Sequence, residues 1–277
     1  MAAFLFARAL NRTEEFQLAS NVEGAGDFDD LVFRYKLRDK GIWKTCFIQL
    51  KHKKTGGKIQ RSSLTQMSGD FSLLKYFKSF CEIKNKAATD RNLKQCGPFD
   101  EFEFVIYTNQ KLERKSSPQE SESPTQIADS DPLSILSSGT DDGKYITFDE
   151  TRDKDIFGFF EEVSVYRIFI GELDSLLKSR TSADKAINET IEKLQNSVTN
   201  RKILGKLNSL QTKVNTDIET RWIDELAKCD FELFKEFLSK IKIFQSQSNE
   251  KSLKGLIEKE LQKACKAPPS VANFIYT

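Results

Sequence analysis

The stretch FDDLVFRYKLRDKGIWKTCFIQLKHKK, Phe28 to Lys54, decides how the chain is read. Leu31-Val32-Phe33 with Tyr35, and Ile42-Trp43 through Cys46-Phe47-Ile48 and Leu50, have the β-branched and aromatic composition of strands. The intervening LRDKG supplies polar turn chemistry ending in Gly41, so the two runs read as a hairpin. The hairpin opens on the acidic pair Asp29-Asp30 and ends in Gln49-Leu50-Lys51. Residues i and i+2 of a strand share a face, so Gln49 and Lys51 point together while Ile48 and Leu50 turn toward the core. If the two strands pair antiparallel, the Asp29/Asp30 end lies close to Gln49 and Lys51. A carboxylate and an amide carbonyl are hard oxygen donors suited to Mg²⁺. A lysine beside them is suited to orienting a water and offsetting charge on a phosphorane-like transition state. The competing reading is plain turn chemistry at the acids and a solvated, lysine-bearing strand end.

The segment that follows weighs on that choice. Lys40 to Gly69 contains Lys40, Lys44, Lys51, Lys53, Lys54, Lys58 and Arg61 and no acidic residue, although the whole chain has 43 Lys and Arg against 41 Asp and Glu. Such a local excess is a phosphate-facing patch or an exposed basic hairpin. His52, one position past Lys51, falls on the opposite face and reads as a surface or phosphate-contact residue. Trp43, Phe47 and Tyr35 have the composition of base-stacking residues, but at strand spacing they read as core.

Composition removes several other classes. A chain of 277 residues with 38% hydrophobic and 30% charged residues can bury a core and is not disordered throughout. The single histidine excludes His-dependent zinc sites and Ser-His-Asp or Cys-His catalysis. Five widely spaced cysteines without a C-x-x-C read as reduced thiols, placing the chain in the cytoplasm or nucleus. No run reaches the roughly 20 apolar residues of a membrane span, so no membrane partner is expected. The start, MAAFLFARALNRTEE, reads as an amphipathic helix rather than a secretory signal. Gly24-Ala25-Gly26 lacks the G-K-[ST] of a phosphate loop.

Apolar spacing predicts helical stretches at Phe4 to Leu10 and Phe16 to Ala19, and a helix from Phe71 to Ile83 with N-cap candidates in Ser68-Gly69-Asp70. Phe102 to Tyr107 reads as a strand stopped by Thr108-Asn109, and Tyr145 to Phe148 as a further strand. Residues 114–143, rich in Ser, Pro, Asp and Glu, read as a mobile insertion. Beyond Asp153 helices are expected at Asp153 to Leu177, Ser182 to Gln195, Ile203 to Val214, Ile218 to Cys229, Phe231 to Phe244 and Glu250 to Cys265. The expected organisation is therefore an α/β domain over 1–150, a mixed sheet flanked by helices, followed by an all-α helical bundle over 151–277. The bundle is a candidate docking site for a protein partner.

The order helix, FDDLVF strand, FIQLKHK strand, SGDFSLLKYFKSF helix, FEFVIYTN strand resembles the core of the PD-(D/E)XK, or restriction-endonuclease-like, nuclease superfamily. It is similar to the Q-x-K branch of type IV restriction enzymes and of the nuclease domains that open anti-phage effectors, and to N-terminal regions of large arthropod proteins. The resemblance covers roughly Glu14 to Asn109. It implies Mg²⁺- or Mn²⁺-dependent hydrolysis of nucleic acid, DNA ahead of RNA, with the sequence leaving both open. Carried over, the metal-binding acid falls on Asp30 or Asp29 and the second ligand position on Gln49, which stands where an acid is commoner. The catalytic lysine falls on Lys51. A glutamate from the first helix would be Glu15 or Glu14, with Glu23 competing. Lys53, Lys54, Lys58 and Arg61 would contact phosphates. Gln49 and the loosely matched glutamate leave a second possibility, a catalytically inactive nuclease-fold module that serves interaction or nucleic-acid binding.

Overall fold

The structure, a computed structural model, describes residues 1–37, 41–54, 57–66, 69–113, 125–126, 132–138, 144–161 and 231–265. The expected helices between 162 and 230 lie outside the described residues. The chain divides into two compact units, one formed by Met1–Phe148 together with Ser239–Thr277 and the other by Asp149–Leu238.

The first unit is built on a mixed sheet. Helix α1 (Ala2–Arg12) leads into β1 (Thr13–Ala19), β2 (Leu31–Leu37) and β3 (Trp43–Lys51). These three strands form an antiparallel meander. After the short β4 (Lys58–Ile59) and α2 (Arg61–Leu64) come helices α3 (Leu73–Lys86) and α4 (Arg91–Gln95). Strand β5 (Phe102–Thr108) then pairs parallel with β3. The remaining strands are β6 (Lys111–Leu112), β7 (Thr125–Gln126), β8 (Lys144–Ile146) and β9 (Ile241–Phe244). The main sheet has seven strands in the order β1-β2-β3-β5-β9-β8-β7, and β4 pairs with β6 in a separate two-stranded ribbon.

Each face of this sheet carries its own apolar layer. On one face Phe4, Leu5, Ala7 and Ala9 of α1 pack with Phe33, Tyr35, Ile48, Val105 and Tyr107 of the strands. Leu253, Ile257 and Leu261 of the last helix, Glu250–Cys265, complete this layer. On the other face α3 lays down an aromatic layer: Phe80 meets Phe104 edge-on at 5.3 Å, Phe104 stacks on Phe47 at 5.6 Å, and Phe28 packs on both Tyr76 and Phe104. The helix-spaced aromatics of α3 thus meet strand-spaced aromatics of β3 and β5. The cap of α3 is Ser72, whose Oγ accepts from the Lys75 amide at 3.2 Å, and not the residues of Ser68-Gly69-Asp70.

Four expectations change. Phe16 to Ala19 is strand, because Phe16 and Leu18 alternate with exposed Glu15, Gln17 and Ala19 along β1 and Phe16 meets Phe33 of β2. The helix expected over Phe231 to Phe244 ends at Lys240, and Ile241-Lys242-Ile243-Phe244 becomes β9. That strand fills the slot between β5 and β8, parallel to the first and antiparallel to the second. The boundary expected near residue 150 therefore does not separate two consecutive domains, since the chain returns to complete the sheet. Finally, the insertion expected at 114–143 is partly structured: Pro132–Leu136 forms a short 3-10 helix with Leu133, Ile135 and Leu136 buried. The Arg8 guanidinium donates to the carbonyls of Ser134, Ile135 and Ser137 there.

In the second unit, the helix over 154–161 places Phe160 against Phe234 of the helix Phe231–Lys240, and Lys235 pairs with Glu150 at 3.4 Å. Among the described residues Cys46, Cys81 and Cys96 are not in disulfides. Among the described residues no helix is long and apolar enough to cross a membrane.

Candidate active site

A docked turn delivers the chain into β2. Gly26 sits at φ +55° with Ser79 of α3 so close that an added Cβ would lie 2.7 Å from its Oγ. Only glycine takes this backbone at this approach. The next residue, Asp27, donates its amide to Ser79 Oγ at 2.9 Å and pairs through Oδ1 with Lys75 Nζ at 2.7 Å. Phe28 is fully buried under α3, so the position of the acidic pair is fixed by packing before the strand begins.

The register then selects between the two acids. Leu31 lies opposite Ile48, which sets Asp30 beside Gln49. Asp30 Oδ2 accepts from the Gln49 side-chain amide and from the Leu50 backbone N–H at 2.7 Å. Gln49 is 6% exposed, a polar side chain held within the sheet face. Asp29 is an exposed turn residue with αR backbone, off the strand, so the carboxylate joined to Gln49 is that of Asp30.

Lys51 follows on the same face. Its Nζ lies 3.9 Å from Asp70 Oδ1, in the loop before α3. With Asp70 60% exposed, this is a loose, solvent-screened ion pair. Behind it, the Tyr76 hydroxyl donates to the Asp70 carbonyl at 2.6 Å. Its pKa is raised, first by burial and then by the charges of Asp27, Asp70 and Asp30, so the hydroxyl stays protonated. Asp30, Gln49, Lys51, Asp70 and Tyr76 thus form one constellation at the end of the β2–β3 pair, under the N-terminus of α3.

Other expected residues fall elsewhere. The first helix carries no acid, and Glu15 stands on β1 opposite Lys36. That pairing is six residues along β2 from Asp30, about 20 Å at strand rise, so Glu15 does not reach the site. Glu14 is engaged by Lys36 Nζ at 2.7 Å, and Glu23 is an exposed residue lining a separate cavity of about 530 Å³ with Gln17, Arg34, Asn92 and Gln95. Lys44 leaves the basic patch: it lies on the α1 face, paired with Glu103, which Lys242 also approaches at 3.6 Å. Lys53, Lys54 and Lys58 are exposed, and Arg61 is half-buried at the start of α2. His52 stacks on Tyr107 with ring centroids 6.1 Å apart, and its Nε2 lies 3.2 Å from the Ser248 carbonyl. Tyr35 and Phe47 are fully buried, and Trp43 lies under the Arg34 guanidinium at 4.3 Å, so none of the three is a free stacking platform.

Asp70 and Tyr76 were not singled out by spacing. SGD before an apolar helix is cap chemistry in sequence, and the return of that loop to Lys51 is a tertiary event. Among the described residues no group of three or more His, Cys, Asp and Glu is placed to hold a metal ion. Asp30 and Gln49 bring one carboxylate and one side-chain amide together, with the amide N–H turned onto the carboxylate. No family model matches this chain, and no curated protein matches it at a significant level.

Proposed function

We propose that the chain is a metal-dependent nucleic-acid phosphodiesterase of restriction-endonuclease-like architecture, with Asp30, Gln49 and Lys51 at its centre and Mg²⁺ or Mn²⁺ as cofactor. The observation that carries this reading is the cross-strand pairing of Asp30 with Gln49, two residues before Lys51 on the same sheet face. The order of helix, antiparallel meander, helix and parallel strand, from α1 to β5, supports it. So does the exposure of Lys53, Lys54 and Lys58 just beyond Lys51.

In this reading Asp30 would hold the metal together with the Gln49 carbonyl, once that amide turns over from its bond to Asp30, and the metal would supply Lewis-acid stabilisation of a phosphoryl oxygen and a more acidic water. Asp30 is held in place by the Leu50 N–H, so its carboxylate is presented without reorganisation. Lys51 orients the attacking water and places a positive charge beside the scissile phosphate. Substrate phosphates compete with Asp70 for that ammonium, a modest competition because the ion pair is exposed. DNA is the preferred substrate in this reading.

A second reading rests on a specific observation. The carboxylate expected from the first helix is missing from α1, and Gln49 uses its amide to occupy one oxygen of Asp30. Both fit a nuclease-fold module that has lost hydrolysis and retains binding. The test is cleavage of supercoiled plasmid and of a structured RNA with Mg²⁺ or Mn²⁺, comparing wild type with Asp30→Asn and Lys51→Ala. Activity that falls at least a hundredfold in both variants, with unchanged circular dichroism, supports the enzyme. Absence of cleavage by the wild type with either metal, or cleavage indifferent to both substitutions, rejects it.

A further inference from the structure

Beyond Lys51 and Thr108, strands β3 and β5 do not diverge. Asn109 binds the backbone of Lys53 twice: its Oδ1 accepts from the Lys53 N–H at 3.0 Å and its Nδ2 donates to the Lys53 carbonyl at 2.7 Å. The two chains then meet again in the ribbon of β4 and β6, where Lys58 is the direct partner of Lys111 and Ile59 of Leu112. Ile59 and Leu112 turn inward and are buried, so Lys58 and Lys111 share the outer face, both exposed. Directly opposed like charges on a strand pair are unfavourable by themselves. Among the described residues, none of Lys53, Lys54, Lys58 and Lys111 forms an ion pair, whereas Lys36, Lys44, Lys51 and Lys75 each face an acid. Glu113, half-buried two residues past Lys111, donates its amide to the Ile59 carbonyl and so continues the same ribbon.

We propose that this ribbon is a ledge that grips the phosphate backbone of a nucleic-acid duplex beside the Asp30–Lys51 centre. Lys58 and Lys111 are its paired contacts, and Asn109 is the positioning residue that fixes the ledge to the ends of β3 and β5. This rests on the nuclease reading and adds to it the substrate contact and two residues, Lys111 and Asn109, outside the basic run of the sequence. A lysine pair of this kind reads charge and not base identity, so the contact is independent of sequence.

The experiment is fluorescence anisotropy of wild type, Lys58→Gln/Lys111→Gln and Asn109→Ala on one labelled DNA duplex and one RNA duplex, across salt and in chelator so that nothing is cut. The same proteins are assayed for plasmid cleavage. The double variant is expected to bind at least tenfold more weakly at low salt, with the slope of log K against log salt reduced by about 1.8, two contacts at about 0.9 each. Asn109→Ala is expected to weaken binding while its lysines remain. The DNA and RNA arms tell which duplex supplies the phosphates. Unchanged affinity and slope in the double variant, with the wild type binding and Asp30-dependent cleavage intact, overturns the ledge and leaves the nuclease standing. A wild type that binds neither duplex overturns the ledge, and one that also fails to cleave overturns both.

Discussion

Tyr76 shows how burial sets the chemistry of a single residue in this site. The Tyr76 hydroxyl is held neutral by burial and by the carboxylates of Asp27, Asp70 and Asp30. Burial likewise pushes up the Tyr107 hydroxyl and the Cys46 thiol, the thiol also through the charge of Glu103. In each case the folded pKa lies above the unfolded one, so the folded state binds more protons in the alkaline range. Stability is therefore fully present below pH 9, the ordinary thiol value, and is lost progressively as pH rises past 9 and then past 10, the ordinary tyrosine value. Thermal melts between pH 7 and 11 are expected to show this decline. Tyr76→Phe is expected to lower stability by about 1 kcal/mol at neutral pH, for the lost bond to the Asp70 carbonyl, and to flatten the alkaline slope. A slope identical to wild type removes Tyr76 from this account.

The hairpin of β2 and β3 makes the site a property of register. A slip of one residue would turn Gln49 and Lys51 to the α1 face and bring Leu50 beside the α3 layer. Register is held by the buried alternation of Phe33, Cys46 and Ile48 on one face and Val32 and Phe47 on the other, and by the turn docked through Gly26. The cross-strand pair of Asp30 and Gln49 is the point where stability and chemistry meet. Gln49→Glu exchanges a hydrogen bond for two facing carboxylates. It is expected to lower stability in chelator by about 1–3 kcal/mol, a few degrees in Tm. Added Mg²⁺ or Mn²⁺ is then expected to raise the Tm of Gln49→Glu more than that of wild type, because the metal screens the new pair. Equal metal response in the two proteins would count against a metal at this position.

At the scale of the whole molecule, the chain closes its sheet with a segment from its far end. Strand β9 lies beside β5, and the final helix covers the same face as α1, where Asn11 donates to Glu260 and Arg8 pairs with it at 3.6 Å. Removing that segment uncovers the backbone of β5 and the apolar surface of Phe4, Leu5 and Tyr107 together. A chain truncated after Glu150 is therefore expected to aggregate or to lack a cooperative melt, while the full chain melts cooperatively. Soluble, cooperatively folding 1–150 would show that the sheet is complete without β9.

Much of the local structure was legible before any tertiary contact was known. The β-branched and aromatic runs at Leu31 to Tyr35, Trp43 to Leu50 and Phe102 to Tyr107 declared strands, and the hairpin connection brought the Asp29/Asp30 end to Gln49 and Lys51, leaving the choice between the two acids to the register. The helix spacing of Phe71, Leu74, Phe77 and Phe80 declared α3, which begins at Leu73. What periodicity could not separate were short apolar runs compatible with both periods. EFQLA reads as helix or strand, and FLSKIKIF reads as an unbroken helix until an open edge beside β5 takes its last four residues. The placement of Glu15 far from Asp30, of Asp70 against Lys51, and of Lys111 beside Lys58 was decided only by the tertiary structure. Each depends on chain segments distant in sequence meeting at one sheet end, and local propensity carries no record of such meetings.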